Sequence, residues 1–520
     1  MIRRVKTENG WVRGLPGSDP RITSYKGIPF AAPPVGENRW RAPQPCADWE
    51  GDLRAYEFGP IAMQDRGKPG RDNFWSREWA VDFELPMSED CLYLNIWTPA
   101  DGYPVGVGEQ YCEHEGDPLP EPGNLPVFVW YFGGGLQVGN TAEMEFDGER
   151  LARRGIVVVT ISYRLNVFGF MAHPDLTREA PDAPTNFGFL DQQFATQWVK
   201  RNIAAFGGDP NNITIGGQSS GGMSVCAQLA NPNNRGLFQK AIIESGIFFP
   251  AYSNGAAFRT GIRKGEETGV SFLKLLGVET IEEARKIDAE TVLDKAIHCM
   301  LPHSWDSLID GVFCKAPASE WFLQEGHIEC PLFMSSTDIE LLLYPKASNQ
   351  EELRSLARSL DGVDEERFMA AFEGANDAES IRAKGVIPGI DLATHAINRK
   401  AGDAMPIWMC LFAPEIPGWD NPGAFHSSDI WFFFENFAKC WRPFTGKHYD
   451  LARQMCDYWA NFMKNGNPNG KGSDGKPLPE WPRLTPDHPV RMEFGDTSVL
   501  GDATPSPIME VMLAAFAKTH

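Results

Sequence analysis

No stretch of about 18 consecutive apolar residues occurs anywhere in the 520-residue chain, which excludes an ordinary membrane-spanning helix. Paired cysteine motifs are missing too. The ten cysteines (46, 91, 112, 226, 299, 314, 330, 410, 440 and 456) stand singly with no CxxC, a pattern of separate thiols in a reducing compartment. Basic charge is in deficit, 48 Lys and Arg against 69 Asp and Glu, for a formal net charge of -21. That balance disfavours nucleic acid and anionic membrane surfaces as partners. There is no HExxH, no clustered His/Cys ligand set and no GK[ST] phosphate loop, so neither a metal nor a cofactor is expected. No internal repeat is visible. The N-terminus, MIRRVKTENGWVRG, starts basic without developing the apolar core of a signal peptide, and the expected location is cytoplasmic.

What the chain does have is a large stock of core-forming residues. Its 33 phenylalanines and 16 tryptophans need an extensive interior and exclude disorder. Short apolar, β-branched or aromatic runs read as buried strands: 127–132, 156–163, 213–216, 240–245, 331–336 and 409–414. Helical patterns lie between them, at 190–206, 221–230, 266–277 and 451–466. Strands apolar throughout, alternating with helices, predict an α/β fold with a mostly parallel sheet covered on both faces. No linker-like break interrupts the alternation, so residues 1–520 are expected to form one domain with helical and loop insertions. Two Pro/Gly-rich segments, 101–124 and 465–482, read as surface loops. The second opens like a calcium loop (Asn465, Asn467, Asn469). Lys476 then occupies the twelfth position, where a bidentate carboxylate is required, and calcium is rejected.

The stretch ITIGGQSSGGMS (213–224) holds the only GxSxG of the chain, Gly217-Gln218-Ser219-Ser220-Gly221. Alone it is weak evidence, since a glycine-rich loop would carry the same letters. Its setting adds weight: a buried strand precedes it and a helix follows, as a nucleophile elbow requires. A serine held in a strained turn needs glycine two residues either way. The helix N-terminus would then aim free N–H groups at the serine oxygen. A second glycine cluster, 133–135 in VWYFGGGLQVGN, also follows a buried strand and offers either donors for an oxyanion or a plain turn. It is not a dinucleotide fingerprint, because Val138 breaks GxGxxG.

Several ordered segments together resemble the type-B carboxylesterases, the branch of the α/β-hydrolase fold that includes the cholinesterases. They are YKGIPFAAPPVGENRWRAPQP (25–45), SEDCLYLNIWTP (88–99), SYRLNVFGF (162–170), NFGFLDQQFATQWVKRNIAAFGGDPNNITIGGQSSGG (186–222), AIIESG (241–246) and HYDLARQMCDYWANFMKNGNPN (448–469). The resemblance implies an α/β-hydrolase fold and a serine carboxylesterase with a Ser219–Glu340–His426 triad in that chain order. From the residues alone, Glu340 would pass for a surface or helix-capping carboxylate. His426, too, is one of ten histidines, with His448 and His488 its nearest rivals. The resemblance further implies an oxyanion hole made by the backbone N–H groups of Gly134, Gly135 and Ser220. It implies no cofactor, a small-molecule ester as substrate, and scaffold ion pairs Arg39–Glu89 and Arg164–Asp191.

The chain departs from the family pattern at informative positions. Gln218 stands where relatives carry Glu, which removes a negative charge beside Ser219 and weakens the case for cationic substrates. Phe132 and Leu136, around the glycine triplet, are unusual and with Gln218 are candidate pocket residues. Ala62 replaces a cysteine that pairs with the position of Cys91 in secreted relatives, so Cys91 is expected to stay a free thiol. Phe74, Trp75 and Trp79 fall where relatives border the active-site gorge and serve either apolar substrate groups or loop packing. The sequon Asn212-Ile213-Thr214 overlaps a predicted buried strand and is discounted. The expected reaction is hydrolysis of small to medium neutral esters. Lipase or thioesterase activity on the same scaffold, or an esterase-like adhesion module without catalysis, are the alternatives.

Overall fold

A computed structural model describes residues 4–67, 74–79, 82–99, 124–247, 252, 260–299, 301, 305–317, 327–340, 343–400 and 405–519. Residues 101–123 of the expected surface loop lie outside them. Fourteen strands are formed among the described residues: β1 (Arg4–Lys6), β2 (Trp11–Arg13), β3 (Leu15–Pro16), β4 (Ile22–Pro29), β5 (Asp52–Arg54), β6 (Tyr93–Pro99) and β7 (Leu125–Tyr131), followed by β8 (Val157–Ile161), β9 (Gly208–Gln218), β10 (Lys240–Glu244), β11 (Leu332–Thr337), β12 (Ile407–Phe412), β13 (Val490–Phe494) and β14 (Ser498–Asp502). Strands β1, β2 and β5 make a small sheet, and the other eleven make one large sheet in the order β14-β13-β12-β11-β10-β9-β7-β8-β6-β4-β3.

From β8 across to β13 every pairing is parallel, whereas the flanks are antiparallel. The mostly parallel sheet is therefore as expected. Its central strands are uniformly apolar because both faces are covered; all five residues of β8, VVVTI, are buried. Helices α1 (Phe187–Asn202) and α2 (Ser220–Ala230) pack on β9, and α3 (Gly446–Asn465) packs on β7 and β9. In α3 the Trp459 ring lies 4.2 Å from Phe333 of β11, joining helix and sheet through an aromatic core that includes Trp481.

Register brings the strand ends together. Tyr131 of β7 lies opposite Gly217 of β9, and Gln218 lies opposite Glu244 of β10, which in turn faces Ser335 of β11. The segments leaving β7, β9, β10 and β11 thus emerge side by side at the carboxyl edge of the sheet, where parallel α/β folds place their ligands.

The structure also contains elements the hydrophobic pattern did not announce: helices at Gln350–Ser359, Glu365–Ala371, Ala378–Gly385, Gly389–Lys400 and Pro507–Thr519, and the β13–β14 hairpin. In the calcium-like loop, Asn469 uses its amide to bond Trp481 in both directions.

Candidate active site

Strand β9 runs to Gln218, and Ser219 then takes φ 56° and ψ −128°, a conformation that costs a non-glycine residue strain. The turn is tight enough to dictate its neighbours. A Cβ on Gly217 would sit 2.4 Å from the Gly221 carbonyl, and one on Gly221 would sit 2.0 Å from the Tyr131 oxygen. Both obstacles are backbone, so no side chain can move aside. The spacing expected from sequence thus has its steric cause. The Ser219 N–H donates to the Glu244 carbonyl at 2.9 Å, which anchors the turn to β10.

Two distant loops meet this serine. One leaves β11, where the Thr337 N–H donates to Glu340 Oε1 at 3.1 Å. The other contains His426 and is joined to the first by a bridge between Ile339 and Phe425, with the Ile339 N–H donating to the Ala424 carbonyl at 3.0 Å. Gly423 makes that junction possible: its φ is +64°, and a Cβ there would meet Ile339 Cδ1 at 2.3 Å. As a result His426 Nδ1 lies 2.7 Å from Glu340 Oε2, and its Nε2 lies 3.0 Å from Ser219 Oγ. The Gln218 amide nitrogen is 3.4 Å from the same Nε2.

Electrostatics follow from burial and pairing. Burial opposes charge on His426, but the hydrogen bond and charge of Glu340, aided by Asp429, outweigh it and raise its pKa above the usual value. Burial likewise works against ionised Glu340. The hydrogen bond and charge of His426, the Ser245 side chain and the Thr337 N–H together hold its carboxyl below the ordinary range. Behind the pair, burial and the charge of Glu340 push Asp429 up to about 7. Glu244, which accepts from Trp459 Nε1 at 2.8 Å, is also pushed up by burial and then by Asp429. These two buried carboxyls were not among the residues expected at the site. The only sequence signal for either was the position of Asp429, three residues after His426.

The rival histidines are occupied elsewhere. His448 caps the start of α3 through Thr445 and bonds the Glu415 carbonyl, and His488 sits exposed in a turn.

The glycine triplet lies beside the elbow, so close that a Cβ on Gly133 would stand 3.1 Å from Ser219 Cβ. Gly134 and Gly135 are exposed with φ of 108° and 65°. Ser220 is the first residue of α2, so its N–H precedes the helix ladder. Of the candidate pocket residues, Gln218 reaches His426, but Phe132 and Leu136 are 1% and 0% exposed. Phe132 stacks on Tyr163 with ring centroids 4.4 Å apart, in the core under the loop. Phe74 and Trp79 both pack edge-on against Phe425, next to His426. The Trp75 side chain lies outside the described residues.

Both expected scaffold ion pairs form. Arg39 grips Glu89 with two bonds of 2.6 and 2.5 Å, and Arg164 grips Asp191 with bonds of 2.8 and 2.7 Å. A third pair was not anticipated: Arg442 and Glu78, both side chains fully buried, meet at 2.5 Å, with the guanidinium 5.3 Å from the Phe425 ring. Cys91 is buried and unpaired.

The sequence model described as "Carboxylesterase family" matches residues 2–384 and 383–505. Liver carboxylesterase 1 of Oryctolagus cuniculus is 30% identical over 540 residues, covering 92% of this chain and 87% of that protein. Para-nitrobenzyl esterase of Bacillus subtilis (strain 168) is 31% identical over 492 residues, covering 89% and 90%. A solved PNB esterase structure superposes with a TM-score of 0.77 at 27% identity, over 98% of this chain and 99% of that one.

Proposed function

The chain belongs to the carboxylesterase family and is a carboxylic ester hydrolase of the α/β-hydrolase fold, and on that premise we propose a Ser219–His426–Glu340 mechanism acting on neutral esters. The observation that carries this reading is the unbroken series Ser219 Oγ, His426 Nε2, His426 Nδ1 and Glu340 Oε2, with contacts of 3.0 and 2.7 Å. His426 takes the proton of Ser219 as the oxygen attacks the ester carbonyl. Glu340 holds the imidazole in the tautomer whose Nε2 accepts, and its charge stabilises the imidazolium that forms. The carbonyl oxygen, becoming an anion, is received by the N–H groups of Gly134, Gly135 and Ser220 at the positive end of α2. His426 returns the proton to the departing alcohol. Water then attacks the acyl-enzyme by the same route and frees Ser219.

Gln218 supports a preference for neutral substrates, because an uncharged amide rather than a carboxylate lies beside the reacting atoms. All nine described cysteines are free thiols, which supports a reducing, cytoplasmic setting. No helix among the described residues is long and apolar enough to cross a membrane.

A panel of p-nitrophenyl esters of increasing acyl length, assayed with wild type and Ser219→Ala, tests the proposal. Turnover by wild type and none above background by Ser219→Ala is expected. Full activity in Ser219→Ala refutes it. Adding an acyl thioester, an emulsified long-chain ester and an ester of a cationic alcohol separates the substrate classes.

A further inference from the structure

The hydroxyl of Ser220 has no part in the proton transfers above, yet it is buried at the junction between the elbow and the glycine loop. The Leu136 N–H donates to Ser220 Oγ at 3.1 Å. At the other end of the loop, the Tyr163 hydroxyl donates to the Phe132 carbonyl at 2.6 Å. Phe132 and Leu136 are the residues immediately before and after the triplet Gly133–Gly135. The Ser220 hydroxyl therefore ties down the Leu136 end of the loop, and the Tyr163 phenol ties down the Phe132 end.

That loop needs holding. Gly134, Gly135 and Leu136 have successive φ values of 108°, 65° and 61°. The last is strained for a residue with a Cβ. The Asn166 N–H secures the Leu136 carbonyl at 2.8 Å. Among the described residues, Ser220 Oγ is the acceptor recorded for the Leu136 N–H, in a place closed to water.

Resting on the mechanism proposed above, we infer that the Ser220 hydroxyl is a positioning residue. It fixes the spacing between the Gly134 and Gly135 donors, carried by the segment after β7, and the Ser220 donor, carried by α2. Two elements from different strands must converge on one oxygen, and this hydroxyl bonds one directly to the other. A donor displaced from the oxyanion weakens transition-state binding while leaving ground-state ester binding intact.

The test compares wild type, Ser220→Ala and Tyr163→Phe on p-nitrophenyl butyrate. Each variant is also assayed for affinity toward a trifluoromethyl ketone, which forms a tetrahedral oxyanion with the nucleophile. Ser220→Ala is expected to lower kcat about tenfold, or about 1.4 kcal/mol, with KM little changed. Ketone affinity falls by the same factor. Tyr163→Phe, which releases the Phe132 end of the loop and leaves the Ser220 contact in place, shifts both quantities in the same direction by less. Wild-type kcat and ketone affinity in Ser220→Ala overturn the inference, whatever happens to its melting temperature. So does a loss expressed only in KM. Ser219→Ala is measured alongside: if it retains turnover, the parent mechanism fails instead.

Discussion

Replacing Glu340 with Gln changes one oxygen for an NH2 group at nearly constant volume, and it probes the triad at its most sheltered point. The Glu340 side chain is 8% exposed and that of His426 is 13% exposed, so solvent offers little compensation. Two effects combine. The amide can donate its N–H to Nδ1 across the 2.7 Å contact, which moves the imidazole proton to Nε2, facing Ser219 Oγ, where acceptance is needed. The charge that stabilises the imidazolium is also gone. In Ser-His-acid triads the same exchange costs about 10⁴-fold in kcat, or about 5.5 kcal/mol.

The pH dependence carries a second signature. Neutral His426 is the active form, and its pKa is raised in the wild type, so activity is lost as pH falls through a value above 6.5. In Glu340→Gln the burial that lowers this pKa remains while the hydrogen bond and charge that raise it disappear. The acid limb of the residual kcat/KM then moves to lower pH. Rates of p-nitrophenyl butyrate hydrolysis between about pH 5 and 9 measure both effects. Activity within about tenfold of wild type, or an acid limb that stays in place, refutes the reasoning.

Gln218→Glu places a negative charge near His426 Nε2, now 3.4 Å from the amide; the acid limb is expected to move to higher pH. In competition assays, esters of cationic alcohols gain on neutral ones by on the order of tenfold. Gly221→Ala forces a Cβ into a site 2.0 Å from the Tyr131 oxygen, with backbone on the far side. A loss of about 3 kcal/mol in urea unfolding, together with most of the activity, is expected. Arg442→Met leaves the fully buried Glu78 without its partner beneath the His426 loop, at a cost of about 3–5 kcal/mol seen as a lowered Tm. The double variant with Glu78→Leu recovers much of it.

How far the residues foretold the structure depended on how local each cause was. Gly217 was readable because the collision it avoids is with Gly221, four residues on. Gly221 was readable only through the spacing of the elbow, since the atom it must clear is the Tyr131 oxygen on another strand. The central strands were readable because burial on both faces leaves uniform apolar runs. Glu340 and His426 carry no such mark. His426 meets a serine 207 residues away through an Ile339–Phe425 bridge that no local pattern encodes, and only the family resemblance pointed to them. Buried Asp429 and Glu244 were missed for a related reason: acidic side chains are normally exposed, and a sequence does not show which ones are enclosed. The helices Gln350–Ser359, Glu365–Ala371 and Ala378–Gly385 escaped notice because they bury narrow faces. Gln350–Ser359 buries only Leu353 and Ala357. Gly389–Lys400, buried throughout from Ile390 to Asn398, escaped because Asp391, Thr394, His395 and Asn398 break up its apolar pattern. Phe132 and Leu136 were expected at the pocket, but the loop turns their side chains into the core.

The central claim, that Ser219 forms the acyl-enzyme, is tested most directly by covalent trapping. Native protein is treated with a fluorophosphonate, digested and analysed by peptide mass spectrometry, with wild type and Ser219→Ala in parallel. One adduct per chain is predicted, on the peptide containing Ser219, with loss of esterase activity in step and no labelling of Ser219→Ala. An adduct on Ser220 or any other residue, or an inactivated enzyme with Ser219 unmodified, contradicts the account.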